Sequence, residues 1–404
     1  MARFIVVVLD GFGIGAMPDV MQTRPQDLKA NTALNLLNNF PARHLPTLEQ
    51  LGLINAVPDS LSLMRQNKDA RWGKAMLVHE GCDTFMGHNE IMGSRPKPPL
   101  RAPFNQAIDS IESALKNEKY STKRIYRNHL AMLEVEDCVL IGDNLEAELG
   151  QVYNLTANLD QISFENLNRI GKVVRQANKV GRNIVFGGCV GTMEPIISAI
   201  ETRNFKNTPT YIGVNTPRTG VYNNGFKVIH LGYGINAVTQ VPYCLAQVGV
   251  TTFLYGKVAD IIHNEYGVSY PSIVDTRELL KLLLADVAVM EKGFFCLNVQ
   301  ETDLAGHQQD PERYWQVLEY ADHGIARLIS SLNPDDRLVV MADHGNDPFI
   351  GHSQHTREMV PILSYPLQIG GHQFGTLDTL ADVGASVSAF FSAPMPEFGK
   401  PSLY

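Results

Sequence analysis

Five short apolar runs, at residues 4–9, 251–255, 294–299, 337–342 and 361–365, have the continuous hydrophobic texture of parallel strands buried on both faces. Between and around them, residues 236–248, 276–290 and 311–332 place apolar side chains at three- and four-residue steps, the spacing of amphipathic helices, with Pro311 suited to a first helical turn. Strand and helix signals in alternation predict an α/β fold built on a doubly wound, mostly parallel sheet. The texture changes after Arg95-Pro96-Lys97-Pro98-Pro99, a stiff run, and stays loop-rich until about Leu231. That stretch carries its own strand and helix signals at 138–142, 164–180 and 183–186. The expected organisation is therefore a catalytic core from residues 1–98 and 232–404, with a small α/β substrate domain, or cap, inserted at 99–231.

Composition narrows the function classes. The chain has 34 basic against 42 acidic side chains, a net charge of -8, which argues against a nucleic-acid partner. No run approaches the ~18 apolar residues that span a membrane, so a cytoplasmic protein is expected, with monomer and homo-oligomer both open. Its five cysteines are scattered, odd in number and without a Cys-x-x-Cys pair, and so read as reduced thiols.

Three of the strand runs end in an acidic residue: Asp10, Asp303 and Asp343. Ligands of open α/β sheets bind at the carboxyl ends of strands, so these distant carboxylates are expected to share one crevice. Histidines accompany them in Asp303-Leu304-Ala305-Gly306-His307, in Asp343-His344-Gly345-Asn346-Asp347, at His352, and in His355-Thr356-Arg357-Glu358. A single strand-end Asp is more often a cap or turn residue. The coincidence of Asp10, Asp303, His307, Asp343, His344 and His355 points instead to a metal centre, and mixed carboxylate and imidazole ligands suit manganese, zinc or iron.

A second polar stretch, Gly81-Cys82-Asp83-Thr84-Phe85-Met86-Gly87-His88-Asn89-Glu90, has the character of a functional loop. Thr84 in it is either a helix cap or a hydroxyl nucleophile activated by a metal. Gly11-Phe12-Gly13-Ile14-Gly15-Ala16 mimics a dinucleotide fingerprint, but Pro18 and Asp19 interrupt the helix that such a turn requires. The glycines there let the backbone pass close to a metal or phosphate.

Taken together, residues 7–19, the loop 83–93, and Ala342-Asp343-His344-Gly345 with His355-Thr356-Arg357-Glu358 resemble the phosphopentomutases, metalloenzymes of the alkaline phosphatase superfamily. The resemblance covers the core and not the insert. It implies an alkaline-phosphatase-like core and two manganese ions per chain, zinc or magnesium being the alternatives. Asp10, Asp343 and His344 would hold one ion, Asp303, His307 and His355 the other, with Thr84 between them. It further implies that Thr84 carries a phosphoryl group and passes it to a sugar monophosphate. The resulting bisphosphate returns its other phosphate to Thr84, a sugar bisphosphate serves as activator, and Lys257 stands near the phosphosugar substrate.

The chain also departs from the family. Asp303 and His307 are four apart, a spacing that resembles the wider superfamily, including cofactor-independent phosphoglycerate mutase. Asn89 stands where the family usually has Trp, Phe186 where it has an arginine, and Asn144-Leu145-Glu146-Ala147-Glu148 where it has a patch rich in Ser and Asp. Losing a guanidinium removes a bidentate phosphate contact, so a divergent paralogue with a related phosphosugar substrate is expected. The alternatives are a phosphohydrolase of the same superfamily and a metal-binding protein without turnover. A sulfatase does not fit, because Cys82 lacks the Pro and Arg that accompany the converted cysteine of those enzymes.

Overall fold

The computed structural model describes residues 2–145, 149–206 and 208–403, so Glu146 and Glu148 lie outside the described residues. The chain divides into two compact units, Met1–Pro96 with Asn236–Tyr404, and Lys97–Ile235. The second runs slightly beyond residues 99–231 at both ends, because Gly234, at φ +74°, lies against the side chain of Lys97.

The first unit is built on eight strands: β1 (Arg3–Leu9), β2 (Arg71–Ala75), β3 (Thr252–Tyr255), β4 (Val268–Tyr270), β5 (Gly293–Val299), β6 (Arg337–Met341), β7 (Val360–Tyr365) and β8 (His372–Leu377). Their order across the sheet is β4-β3-β5-β1-β6-β7-β2-β8. From β4 to β6 every pairing is parallel. All seven residues of β1 are buried, and its β-branched Ile5 to Val8 fit a strand packed on both faces between β5 and β6. Arg3 and Asp336, a buried pair joined through the Arg3 amide at 2.7 Å and its Nε at 3.0 Å, tie the start of β1 to that of β6. The longest helix, Pro311–Ser330, begins with Pro311 and is capped by the Asp310 carboxylate on the Arg313 amide. It buries Tyr314, Trp315, Leu318, Ala321 and Ile325 against the core.

Two expectations are corrected. Residues 361–365 belong to β7, which runs antiparallel to both of its neighbours, β6 and β2. A fully buried apolar run reads alike in either direction, so periodicity does not distinguish them. The helix expected over 236–248 is broken into a 3-10 turn, Ala237–Thr239, and a helix, Val241–Ala246. Pro242 has no amide hydrogen to continue a helix from before it and sits in the first turn of a new one.

The second unit is also α/β. Its six-stranded sheet runs Lys227–Gly232, Arg182–Gly188, Val152–Asn158, Val139–Asp143, Leu130–Val135 and Thr122–Arg127, with only the Val152–Asn158 and Arg182–Gly188 pair parallel. One face packs on helices Phe104–Asn117 and Phe164–Gln176, the other on Ile196, Ile200, Ile212 and Val214. Phe186 is buried in this second layer and stacks on Tyr222, ring centroids 6.4 Å apart, where a guanidinium would find apolar neighbours. Asn144 donates to Asn154 Oδ1 at 2.9 Å. No helix among the described residues is long and apolar enough to cross a membrane.

Candidate metal centre

Adjacent parallel strands deliver their carboxyl ends to one edge of the sheet, and the three central ones, β5, β1 and β6, each lead into an acidic residue. Asp10 follows β1 directly, and Asp343 and His344 follow β6. Asp303 lies on α1 (Gln300–His307), the helix that β5 enters, and its four-residue spacing sets His307 on the same face. His355 arrives on a return loop fixed by paired backbone bonds between Gly345 and Thr356.

Their ligand atoms form two overlapping groups. In one, His344 Nε2 lies 3.3 Å from Asp10 Oδ1 and 3.4 Å from Asp343 Oδ2. In the other, His355 Nε2 lies 3.1 Å from Asp303 Oδ1 and 2.9 Å from His307 Nε2, which is itself 3.4 Å from Asp303 Oδ2. His344 is close enough to group with Asp303 and His355 as well. His352 stands apart and pairs with Asp27 at 3.1 Å.

These residues fit a pair of divalent ions. Asp10 Oδ1 is buried without a hydrogen-bond partner, a costly state for a carboxylate oxygen unless a cation answers it. Each imidazole turns Nδ1 toward a backbone carbonyl: His307 to Ser353 at 2.7 Å, His355 to Cys82 at 2.8 Å and His344 to Gly345 at 3.0 Å. Donation from Nδ1 leaves the Nε2 lone pair facing the carboxylates, the tautomer that a metal ligand needs. Electrostatics agree. Burial opposes charge on His344, yet the nearby carboxylates of Asp343, Asp10 and Asp303 push its pKa up to about 10. Burial likewise resists ionisation of Asp303, but hydrogen bonds from His307 and His355 and the charge of Lys257 hold it well below the usual carboxylate range.

Thr84 opens α2 (Thr84–Ile91), whose helical bounds are set by Asp83: its carboxylate accepts the Met86 amide at 3.2 Å and acts as the cap. The Thr84 hydroxyl is thus free of the capping role, and its Oγ1 lies 2.6 Å from His344 Nε2 and 3.1 Å from Lys257 Nζ. Lys257 follows β3 and sends its ammonium inward, 3.1 Å from Asp10 Oδ2 and 3.3 Å from Asp303 Oδ2. Burial works against its charge, and the carboxylates of Asp10, Asp303 and Asp343 more than compensate, raising its pKa.

Three residues aim the carboxylates; sequence reasoning singled out the loop that holds His88 but passed over Asn298 and Asn346. Asn298 Nδ2 donates to Asp10 Oδ2 at 2.8 Å, Asn346 Nδ2 to Asp303 Oδ1 at 2.8 Å, and His88 Nδ1 stands 3.1 Å from Asp343 Oδ2. The available signal was slight: one polar residue near the end of an apolar strand run, and one two places beyond His344. Asn89 has a packing role, accepting from Gln240 Nε2 at 2.8 Å.

The family model described as the metalloenzyme superfamily matches residues 2–395. Among curated relatives, the phosphopentomutase of Symbiobacterium thermophilum is 28% identical over 417 residues, spanning 98% of this chain and 97% of its own. That of Alkaliphilus oremlandii is 26% identical over 413 residues, spanning 99% and 98%. Among solved structures, phosphoglycerate mutase of Leishmania mexicana aligns with a TM-score of 0.42 at 14% identity, over 99% of this chain and 97% of that one.

Proposed function

The chain belongs to the metalloenzyme superfamily, and from that premise we propose that it is a two-metal phosphomutase that interconverts sugar phosphates through a phosphorylated Thr84. The observation that carries this reading is the placement of Thr84 Oγ1, 2.6 Å from His344 Nε2 and 3.1 Å from Lys257 Nζ, beside two carboxylate and imidazole groups. Its full-length relatives named phosphopentomutase support ribose 1-phosphate and ribose 5-phosphate, or a related phosphosugar, as the substrate pair.

Asp10, Asp343 and His344 would hold one ion, and Asp303, His307 and His355 the other; manganese suits the donors, with zinc or magnesium as alternatives. Bound there, the ions supply positive charge to the oxygens of an in-line phosphoryl transfer. The remaining work falls to side chains. The Thr84 oxygen carries the phosphoryl group and yields it to the free hydroxyl of a sugar monophosphate, giving a bisphosphate. The bisphosphate then returns its original phosphate to Thr84, so a catalytic trace of sugar bisphosphate would prime the cycle. Lys257 Nζ, directed at Thr84 Oγ1, would hold the phosphoryl oxygens between the two partners.

Phosphorus NMR of ribose 1-phosphate with manganese-loaded protein and a trace of sugar bisphosphate tests the reading, the metal being chelated before recording. Ribose 5-phosphate is the expected product. Free phosphate alone would replace the mutase by a phosphohydrolase, and an unchanged spectrum across a panel of phosphosugars would leave a metal-binding protein without turnover. Thr84→Ala should abolish transfer while both ions stay bound; retained turnover would remove Thr84 as the nucleophile.

A further inference from the structure

From Asp10 toward Asp343 runs a chain of contacts through two side chains that are not themselves ligand candidates, hydrogen-bonded as far as the His88 ring. Asn298, the penultimate residue of β5, is fully buried, and His88, on α2, is 1% exposed. Asn298 Nδ2 donates to Asp10 Oδ2 at 2.8 Å, and its Oδ1 accepts from His88 Nε2 at 3.1 Å. His88 Nδ1 lies 3.1 Å from the Thr84 carbonyl oxygen and equally close, at 3.1 Å, to Asp343 Oδ2. The carboxylate settles the amide's orientation, since the opposite one would set Asn298 Oδ1 against Asp10 Oδ2. The order Asp10, Asn298, His88 is therefore fixed, and Asp343 and Thr84 lie beside the other nitrogen of the ring.

This arrangement decides which atom Asp10 offers. Its Oδ2 is engaged by Asn298 and by Lys257 Nζ at 3.1 Å, whereas Oδ1 is buried, has no hydrogen-bond partner and faces His344 Nε2 at 3.3 Å. The other group of donors, Asp303, His307 and His355, has no such contact with either residue; its carboxylate is aimed by Asn346 instead. The first turn of α2, which bears Thr84, hangs from the same His88 ring.

We propose that His88 and Asn298 act as a positioning relay that selectively sets metal affinity at the Asp10, Asp343 and His344 site and holds Thr84 in register with it. The inference rests on the two-metal reading and extends it to residues that touch neither ion nor substrate. Outer partners of metal ligands tune affinity by about 10- to 100-fold, because a misdirected carboxylate must be reoriented at the moment of binding.

The test is manganese binding by calorimetry, with the electron paramagnetic resonance of the bound ion as a second readout. Wild-type protein should take up two ions and show a spin-coupled pair. Asn298→Ala and His88→Ala should each weaken one ion by about 10- to 100-fold, leave the other unchanged, and at low manganese replace the coupled signal by that of an isolated ion. His88→Gln is the discriminating variant. Its amide nitrogen can stand in for Nε2 and keep the bond to Asn298, but it has no counterpart of Nδ1 beside the Thr84 carbonyl and Asp343. It should recover most of the affinity and still transfer phosphoryl slowly.

Full affinity for both ions in Asn298→Ala, or equal weakening of both, overturns the relay. Should Asn298→Ala fail to fold, the His88 pair decides alone, since identical losses in the Ala and Gln variants also overturn it. Wild-type protein that binds no manganese, zinc or magnesium refutes the two-metal reading itself, a result distinguishable from failure of the relay.

Discussion

At the scale of single residues, the site is a balance of buried charges in which Lys257 holds a double position. Its ammonium touches Asp10, Asp303 and the Thr84 hydroxyl, so in metal-free protein it neutralises the same carboxylates that a dication would bind. Replacing it with Met should destabilise the metal-free protein by about 3–5 kcal/mol, as breaking a buried pair does. The same change should tighten manganese binding, because an internal competitor is gone, and should lower phosphoryl transfer at least 100-fold. Denaturant unfolding with and without manganese checks the first two effects, and kcat the third. The carboxylates were legible in the sequence because two apolar runs lead straight into Asp10 and Asp343 and a third is followed within a turn by Asp303, a pattern with a geometric meaning in a parallel sheet. Asn298 and Asn346 were not, since an asparagine has no spacing partner to mark it and its role is defined by a carboxylate 288 or 43 positions away.

At the scale of elements, α2 lies so close to the loop after β6 that a Cβ on Gly87 would come within 3.1 Å of both Asp343 Cβ and its carbonyl oxygen. Gly87→Ala must therefore push the helix outward by a few tenths of an ångström, which carries Thr84 away from His344. A stability loss of about 1–3 kcal/mol is expected, with a drop in kcat larger than that loss explains. Unfolding midpoints and turnover measured on one preparation separate the two. Gly13 is tighter still, its Cβ position lying 2.5 Å from the Glu358 carboxylate that anchors the Gly15 and Thr32 amides. Burial pushes Glu358 up to about 7 despite its bond to Thr356. Element types along the core followed from periodicity, whereas the direction of β7 and the break at Pro242 did not. A uniform apolar run has no polarity to read, and a proline in a helical pattern marks either a first turn or an interruption.

At the scale of the whole molecule, the Lys97–Ile235 unit is continuous in sequence and has its own two-layer core, so an excised 97–235 fragment should unfold cooperatively by circular dichroism; a non-cooperative melt would show that it needs the rest of the chain. Within it, burial raises Asp143 to about 7, against the pull of the Ile212 and Phe104 amides that it accepts. The folded state thus binds a proton more tightly than the unfolded chain. Its contribution to stability is full below about pH 4, declines by at most about 1.4 kcal/mol per pH unit as pH rises toward 7, and is lost above that. Asp143→Asn should flatten this slope in denaturant titrations of the fragment or the full chain; an unchanged slope would assign the dependence elsewhere. The position of β1 between β5 and β6 has a consequence in time as well as in space. β1 leaves the ribosome before both of its neighbours, whose paired residues follow 290 and 333 positions later. At ordinary elongation speeds, a largely apolar segment waits about 15–65 s for its partners. During that interval its apolar side chains lack their partners, and the proposed metal centre would be incomplete until translation has passed His355.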